Sequence, residues 1–569
     1  MKAILCSLLA ASASALAVDG NRLTYLDESS PFWPTNKTPK FVTPQWIGEP
    51  GVEAAVILAI DDMREPPKYE AFLRPILERL KKIDGRAPVS IMTNTVAPDD
   101  PQLAAWLREG LSLEVHTLTH PCPCLGKASF EEAARTYHEC VDLLASIPGN
   151  KPVAFRMPCC DSMNSASPRF FAEIFNRTSA QGRWLAIDSS VFMRFSDPRF
   201  AKYYPAELRP PTKVSLADYA GWIEDYPYPF VVGKLCWEFP CMTPSDWQAS
   251  NAIGPKTQTM LEDWKAALDA AVRAQGVFTS VFHPHGWSTP EQWVEFIDYA
   301  ERTHGKRVKF LTFREALVRL EKNALGGHSL RAINGGDNGV RVLDLDADGF
   351  MDIVIGARDK RITRAWRPHE QRWQEGFMPV DGQADEAVRF GVVRESGAAT
   401  MLVKAGQTGA WTFRDGVWQP DNALLAGLDE NIRTVKPGVD AGVRLRDFDN
   451  DGRDELLANR TIYSWSEKEK QWIKADFPLP EGVAVVDSKG RDNGLRFVDL
   501  NGDGFDDLFQ SNDRGNAIYL WAKNVRDDLG WKRGWSHLVR RGTAENILPF
   551  VKDGRDYGAW FHRGHVIWQ

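Results

Sequence analysis

Four of the chain's eleven histidines fall in two short stretches, residues 115–120 (VHTLTH) and 282–287 (FHPHGW), and the pair Asp61–Asp62 ends an apolar run. These are the parts of a hydrolytic metal site. Two imidazoles four residues apart, His116 and His120, supply two ligands, and a carboxylate completes a facial set. A second carboxylate can serve as base and a later histidine as acid. Taken singly, each group has an ordinary alternative. The histidines can sit satisfied in a core, the acidic pair can cap a helix, and Arg156 can be a surface ion-pair partner. The case rests on their company.

Positioning those groups falls to the elements between residues 50 and 325. Short apolar runs at 54–60, 88–92, 111–115, 153–155, 184–187 and 277–282 read as strands. Stretches at 69–83, 102–109, 130–146, 168–175, 262–274 and 290–300 read as helices; in the first, Phe72, Leu73, Ile76, Leu77 and Leu80 recur at helical spacing. This alternation implies an α/β fold, a parallel sheet or barrel with covering helices. Chemistry in such folds collects at the carboxyl ends of strands. Asp61, Asp62, His116, His120, Arg156, Asp188 and His283 all fall at or just after a strand end, so one shared site is expected. Residues 195–255 break the alternation and are rich in Pro, Tyr and Trp: Tyr203, Tyr204, Trp222, Tyr226, Tyr228, Trp237 and Trp247. Two readings stay open, an insertion lining a sugar cleft or an excursion packed by its own rings.

Leu325-Gly326-Gly327 reads as a hinge, and beyond it an internal repeat replaces helical periodicity. Asp344, Asp346, Asp348, Gly349 and Asp352 recur as Asp447, Asp449, Asp451, Gly452 and Glu455, and again as Asp499, Asn501, Asp503, Gly504 and Asp507. The interval between the last two copies is half that between the first two. Decayed copies are therefore expected near Glu395 and Lys552, and a Trp follows each start (Trp366, Trp411, Trp465, Trp521, Trp568), for about five repeats. Oxygens at loop positions 1, 3, 5 and 9 with Gly at 6 suit Ca2+. An EF-hand needs Glu at position 12, where Ile355, Ala458 and Gln510 stand. The alternative is a set of solvated acidic turns without metal.

The 569-residue length implies more than one domain, and the 43% hydrophobic content with 21 Trp fits large cores. A net charge of −7 gives no reason to expect a nucleic-acid partner. Residues 1–17, with Lys2, an apolar segment and Ala15-Leu16-Ala17, read as a cleavable signal peptide, so the expected location is secreted or periplasmic. No later segment reads as a membrane span. Beyond residue 17 the cysteines are Cys122, Cys124, Cys140, Cys159, Cys160, Cys236 and Cys241, an odd number that leaves at least one thiol free or paired between chains. Cys236 and Cys241 are spaced for a local bridge. Cys122-x-Cys124 with Cys159-Cys160 offers a zinc set at spacings that match no common site.

The acidic repeats resemble VCBS/FG-GAP repeats, which build β-propeller blades. The ordered set Asp61-Asp62, His116-x-x-x-His120, Arg156-Met-Pro158, Asp188 and His283 resembles the polysaccharide deacetylase (NodB homology) domain of carbohydrate esterase family 4. Together the resemblances imply a (β/α) barrel-like NodB domain plus an all-β propeller of about five blades. The division is a signal peptide at 1–17, an extension at 18–49, the catalytic domain at 50–325 and the propeller at 327–569. The first resemblance implies that Asp62, His116 and His120 hold Zn2+ or another divalent transition metal, which acidifies water and polarises the acyl oxygen. It makes Asp61 the base, Arg156 its orienting partner, the Cys159 N–H an oxyanion donor, and His283, ahead of His285, the acid with its charge tuned by Asp188. A strong ligand is a poor base, hence two adjacent carboxylates.

The chain departs from that pattern. Cys159 replaces the usual Tyr, Met63 the usual Gly, Asp188-Ser-Ser shortens a longer motif, and His285-Gly-Trp287 follows His283. These departures bear on substrate. The expected function is a secreted metal-dependent hydrolase removing acetyl groups from a polysaccharide, with the Ca2+-holding repeats serving glycan or surface attachment. The alternatives are a C–N amidohydrolase on a non-glycan substrate and a non-catalytic surface- or carbohydrate-binding protein.

Overall fold

The computed structural model describes residues 20–23, 34–122, 124–127, 129–160, 166–204, 222–382, 387–437, 439–525, 529, 532–543, 547–562 and 565–568. The expected signal segment lies outside the described residues. Among the described residues no helix is long and apolar enough to cross a membrane.

Strand β1 (Ala54–Met63) is buried along its length apart from Asp62. A run buried on both faces belongs at the centre of a parallel sheet. Along the chain follow β2 (Val89–Thr93), β3 (Ser112–Val115), β4 (Ala154–Phe155), β5 (Ile187–Asp188), β6 (Phe192–Arg194), β7 (Ile223–Glu224), β8 (Phe230–Val232), β9 (Cys236–Glu238), β10 (Cys241–Met242), β11 (Val277–Thr279) and β12 (Val308–Phe310). They lie in the order β7-β6-β10-β11-β1-β2-β3-β4-β5-β9-β8, with β12 also on β1. Every pairing is parallel except the β8–β9 hairpin. The sheet curls part-way round with two free edges, an incomplete barrel.

Helices cover the outside. Pro66–Asp84 turns Tyr69, Leu73, Ile76, Leu77 and Leu80 inward. Burying each such side chain contributes at most roughly 1.5–3 kcal/mol. Arg79 on its outer side pairs with Asp298 and Glu301 of the helix Pro290–His304.

The aromatics of the 195–255 insertion, where described, are core rather than cleft. Tyr203, Tyr204, Trp222, Tyr226, Tyr228 and Trp237 are all buried, and only Trp247 of that set is exposed. The segment adds β7 to β10 to the sheet, so its rings are consumed in packing those strands.

Past residue 326 the described strands pair antiparallel, apart from one parallel step between Asn512 and Val551. Residues 340–377, 388–420 and 444–474 each form a four-stranded sheet. The decayed copy around Glu395 is thus a full sheet. The fourth repeat forms a six-stranded sheet that takes in Val551–Lys552 and Arg555–Asp556, leaving Ala559–His562 and His565–Trp568 as a separate hairpin. The expected fifth unit is therefore split between its neighbour and a two-stranded remnant.

The expected hinge at 325–327 is pinned. Arg364 donates to the Asn323 and Ala324 carbonyls and Lys360 to that of Gly326. Buried Arg331 reaches back to the Phe175, Leu185 and Asn176 carbonyls. Phe41, Val42, Trp46 and Ile47 share one core with Val340, Met351, Ile353 and Ile355. Upstream, Arg22 is buried against the carbonyls of Asp344, Leu345 and Gly397, joining the residues 20–23 to the repeats.

Candidate active site

The end of β1 makes the site. Asp61 is fixed at three points: its N–H donates to the Phe282 carbonyl (2.9 Å), its own carbonyl accepts from the Tyr69 hydroxyl, and its Oδ1 accepts from Arg156 Nη1 (2.8 Å). Asp62 adopts φ 69, a left-handed conformation rare for a residue with a Cβ, and this turns its carboxylate out of the strand register. Its Oδ1 lies 2.7 Å from His120 Nε2 and 3.2 Å from His116 Nε2. Its Oδ2 lies 3.1 Å from His285 Nε2 and 3.9 Å from His283 Nε2. Burial alone would raise the Asp62 pKa, but the surrounding imidazoles win and hold it far below the usual carboxylate range.

His116 follows β3, His120 the turn after it. Asn94, at the end of β2, donates to the carbonyls of both His116 and Thr117 (2.7 Å each) and so sets that turn. The Nδ1–H of His116 donates to the Arg156 carbonyl (2.7 Å). That bond fixes the tautomer and leaves the Nε2 lone pair toward Asp62. One ligand atom each from Asp62, His116 and His120 lie within 4.8 Å of one another. Three electron-pair donors aimed at one point repel unless a cation sits among them, and two imidazoles with one carboxylate suit zinc or a similar divalent ion. The donor set therefore fits the metal expected there.

Arg156, after β4, is fully buried and spends its fork on Asp61, the Ser189 carbonyl (2.9 Å), the Ser280 carbonyl (3.2 Å) and Ser189 Oγ (3.0 Å). It neutralises Asp61 and holds it in place. Downstream, Met157 to Cys160 form a tight turn in which Cys159 takes φ 61. Cys159 is disulfide-bonded to Cys122, tying this turn to the one after His120. Cys236 and Cys241, spaced for a local bridge, are instead buried free thiols, as is Cys124. Among the described residues no group accepts the Cys159 N–H.

His283 is positioned by a residue the sequence reasoning missed. Asp246 accepts from His283 Nδ1 (2.9 Å), from the His283 backbone N–H (2.8 Å) and from Ser288 Oγ (3.2 Å). Burial would lower the His283 pKa, but Asp246, with Asp61 and Asp62 beyond it, raises it to about 9. Trp287 stands edge-on to both His283 and His285. Asp246 opens the helix Asp246–Ile253, whose Ser245–Gln248 capping box is visible in the sequence, but 37 positions separate it from His283.

Among the described residues Asp188, expected to tune His283, forms no hydrogen bond or ion pair with it. It lies fully buried against Glu238 of β9, accepting from Ser190 Oγ (2.7 Å). Asp188 Oδ2 and Glu238 Oε2 have no other donor, which calls for one proton shared between the two carboxyls. Burial, then the neighbouring charge of Asp188, pushes Glu238 well above the ordinary range. The pair braces the β5–β9 step behind Arg156 rather than joining the chemistry.

The acidic loops form a second group. In each, the first acid accepts from the N–H of the sixth-position glycine (Gly349, Gly452, Gly504), which has the positive φ the turn requires. Asp352 and Asp507 also accept from the Trp366 and Trp521 backbone N–H, tying loop to third strand. Asp344, Asp346 and Asp348 cluster tightly enough to share a cation, as do Asp447, Asp449 and Glu455. Asp451 instead holds Arg453. In the third loop Asp499, Asn501 and Asp503 are linked by hydrogen bonds to one another's backbone. Burial and then mutual repulsion raise Asp348 to about 6, and burial raises Asp447 and Asp507 to about 6. Oxygen donors crowded this way fit Ca2+, whose charge would relieve the repulsion.

Residues 49–168 match the polysaccharide deacetylase family model. The match covers β1 to β4 and all of Asp61, Asp62, His116, His120, Arg156 and Cys159. No curated protein matches the chain. Among solved structures, the peptidoglycan deacetylase PdaC from Bacillus subtilis is 16% identical, with 48% of this chain and 94% of that one covered at a TM-score of 0.26. A catalytic domain of a peptidoglycan N-acetylglucosamine deacetylase from Eubacterium rectale is 14% identical, covering 47% and 90% at 0.26. The PuuE allantoinase is 12% identical, covering 49% and 93% at 0.33. The matched segment carries Asp61, Asp62, His116, His120 and Arg156, whereas Asp246 and His283 lie beyond it.

Proposed function

We propose that the chain is a secreted, metal-dependent deacetylase acting on an acetylated polysaccharide. The observation that carries this reading is the convergence of Asp61, Asp62, His116, His120, Arg156 and His283 on one strand-end site within and beside the family match. Asp62, His116 and His120 would hold the cation, which when bound acidifies a water and polarises the acyl carbonyl. Asp61, held in place by Arg156, takes the proton of the attacking water. The Cys159 N–H stabilises the oxyanion. His283, kept protonated by Asp246, delivers a proton to the departing amine or alkoxide.

The signal-like residues 1–17 and the Cys122–Cys159 disulfide support export to an oxidising compartment. The repeats at 327–569 are read as a Ca2+-stabilised, propeller-like array of about five units for glycan or surface attachment. A second reading, a C–N amidohydrolase on a small molecule, draws support from the burial of the insertion's aromatic rings, which removes the sugar platform they would have formed.

The test is acetate release from a panel of acetylated glycans, with and without chelator, beside a panel of small amides. Asp61→Asn should keep the metal and lose about 10²-fold or more in turnover. His120→Ala should lose both. Metal-free purified protein with undiminished turnover would end the proposal.

A further inference from the structure

A cleft of about 810 Å³ opens between the third and fourth sheets of the C-terminal half, away from the site above. Lys436, Arg460, Arg514 and Arg541 line it. Across the described residues most arginines are matched to a carboxylate, as Arg389 and Arg444 are to Asp440 and Arg491 to Asp487. These four are not: among the described residues none has a carboxylate within ion-pair distance. Their hydrogen bonds go to neutral acceptors. Arg460 Nε and Nη2 donate to the Leu479 carbonyl (3.1 and 3.0 Å), Arg541 Nη2 to the Glu481 carbonyl (3.0 Å) and the Tyr519 hydroxyl, and Arg514 to Asn493 Oδ1. Each fork is thereby steadied while its charge stays uncancelled. The cleft's two carboxylates, Asp440 and Asp487, are already neutralised by the arginines just named. In a chain of net charge −7, a cleft lined by four unmatched cations is a departure from the surrounding surface.

The walls say what kind of anion fits. Asn493, Gln510, Asn512 and Asn516 lie buried at the cleft, and Gln510 and Asn512 both donate to Asn493, with Asn512 Nδ2 on the Asn493 carbonyl at 2.8 Å. The Gln510 side-chain oxygen accepts nothing among the described residues, which leaves an acceptor for a hydroxyl. No lining residue is aromatic, so the cleft has no platform on which a nucleic-acid base could stack. Three guanidinium forks match planar carboxylates, and the amides match neighbouring hydroxyls. We infer that this cleft binds a carboxylate-bearing polysaccharide, a chain of uronic-acid type. The site gives the attachment role proposed for the repeats a location and a ligand class, and its chemistry does not depend on the catalytic half being a deacetylase.

Isothermal titration of the full chain with a galacturonate oligosaccharide tests this, beside a neutral xylo-oligosaccharide, a sulfated heparin-derived oligosaccharide and oligo-dT. The expected result is one-site binding to the uronate that weakens at least tenfold between about 50 and 300 mM salt. Neutral sugar should bind at least tenfold more weakly. Arg460→Gln with Arg514→Gln should weaken uronate binding at least tenfold, and Lys436→Gln, an exposed position outside any side-chain hydrogen bond, should weaken it several-fold without disturbing the fold. No uronate binding, equal binding of the neutral sugar, tighter binding of the sulfated chain or of oligo-dT, or variants that bind like the parent would each overturn the inference. Acetate release measured on the same variants separates this outcome from failure of the hydrolase reading, because none of these residues is near the metal ligands.

Discussion

Replacing Asp246 by Asn removes one charge from the buried partner of His283 and leaves a side chain of nearly the same shape. The imidazole is held at a pKa of about 9 against an ordinary 6.5, and burial by itself pulls the other way. Without the Asp246 charge the value should fall to about 6.5 or lower. The gap of about 2.5 corresponds to about 3 kcal/mol in favour of the imidazolium. At pH 8 the protonated fraction would drop from about nine-tenths to about three-hundredths, a loss of at least about 30-fold in general-acid turnover. At pH 6 both enzymes hold the proton, so the same substitution should cost little through this route. The lost acceptor also leaves one His283 donor unmatched, at about 1–3 kcal/mol of stability.

The shape of the pH profile therefore discriminates better than any single rate. Because the folded pKa is raised, the stabilisation from this pair is complete below pH 6.5 and disappears as pH rises through 9. The assay is kcat/KM for acetate release from pH 5 to 10, with the His283 ring titrated by NMR. An Asp246→Asn enzyme whose alkaline limb stays near pH 9 would refute the role given to the pair.

Other outcomes follow from the same geometry. Glu238→Gln should pair with Asp188 without needing the shared proton; native protein holds that proton while the unfolded chain releases it, so the parent loses about 1.4 kcal/mol per pH unit above pH 5 and the variant should show a flatter stability curve in urea titrations. The Cys122–Cys159 bridge spans 37 positions, a loop whose closure is worth up to about 4 kcal/mol, so Cys122→Ser should lower Tm and, if Cys159 sits at the oxyanion, lower kcat more than it raises KM. Ca2+ should raise the melting temperature of the intact protein and chelation lower it, with Asp344→Asn and Asp447→Asn blunting the response; a melting curve indifferent to Ca2+ would leave the loops as simple acidic turns.

The Asp62–His116–His120 cluster was legible in the linear chain because its parts are local. His116 and His120 sit in one turn and Asp61–Asp62 close one strand, so spacing alone places two imidazoles together and two carboxylates side by side. The three acidic loops were legible for the same reason: each nine-residue segment carries its own acidic side chains, its own glycine and its own backbone donors. Strand and helix periods likewise foretold the parallel sheet, since a run with no polar face can only be buried on both sides.

Partners that meet across the sheet were not legible. Nothing near His283 in the chain distinguishes Asp246 from Asp188; the sheet order decides, setting β10 beside β11 and β5 beside β9. The same order brings Asp188 against Glu238, where burial makes the two share a proton, and closes Cys122 onto Cys159 while Cys236 and Cys241 stay apart as thiols. It also sinks the aromatic insertion into the core. Residue types and short spacings determine which ligands and loops can form, because contiguous backbone holds them together in any packing. Which acid charges which base, and which ring meets solvent, is decided by tertiary packing, because desolvation and Coulomb energy depend on distances that the chain order does not contain.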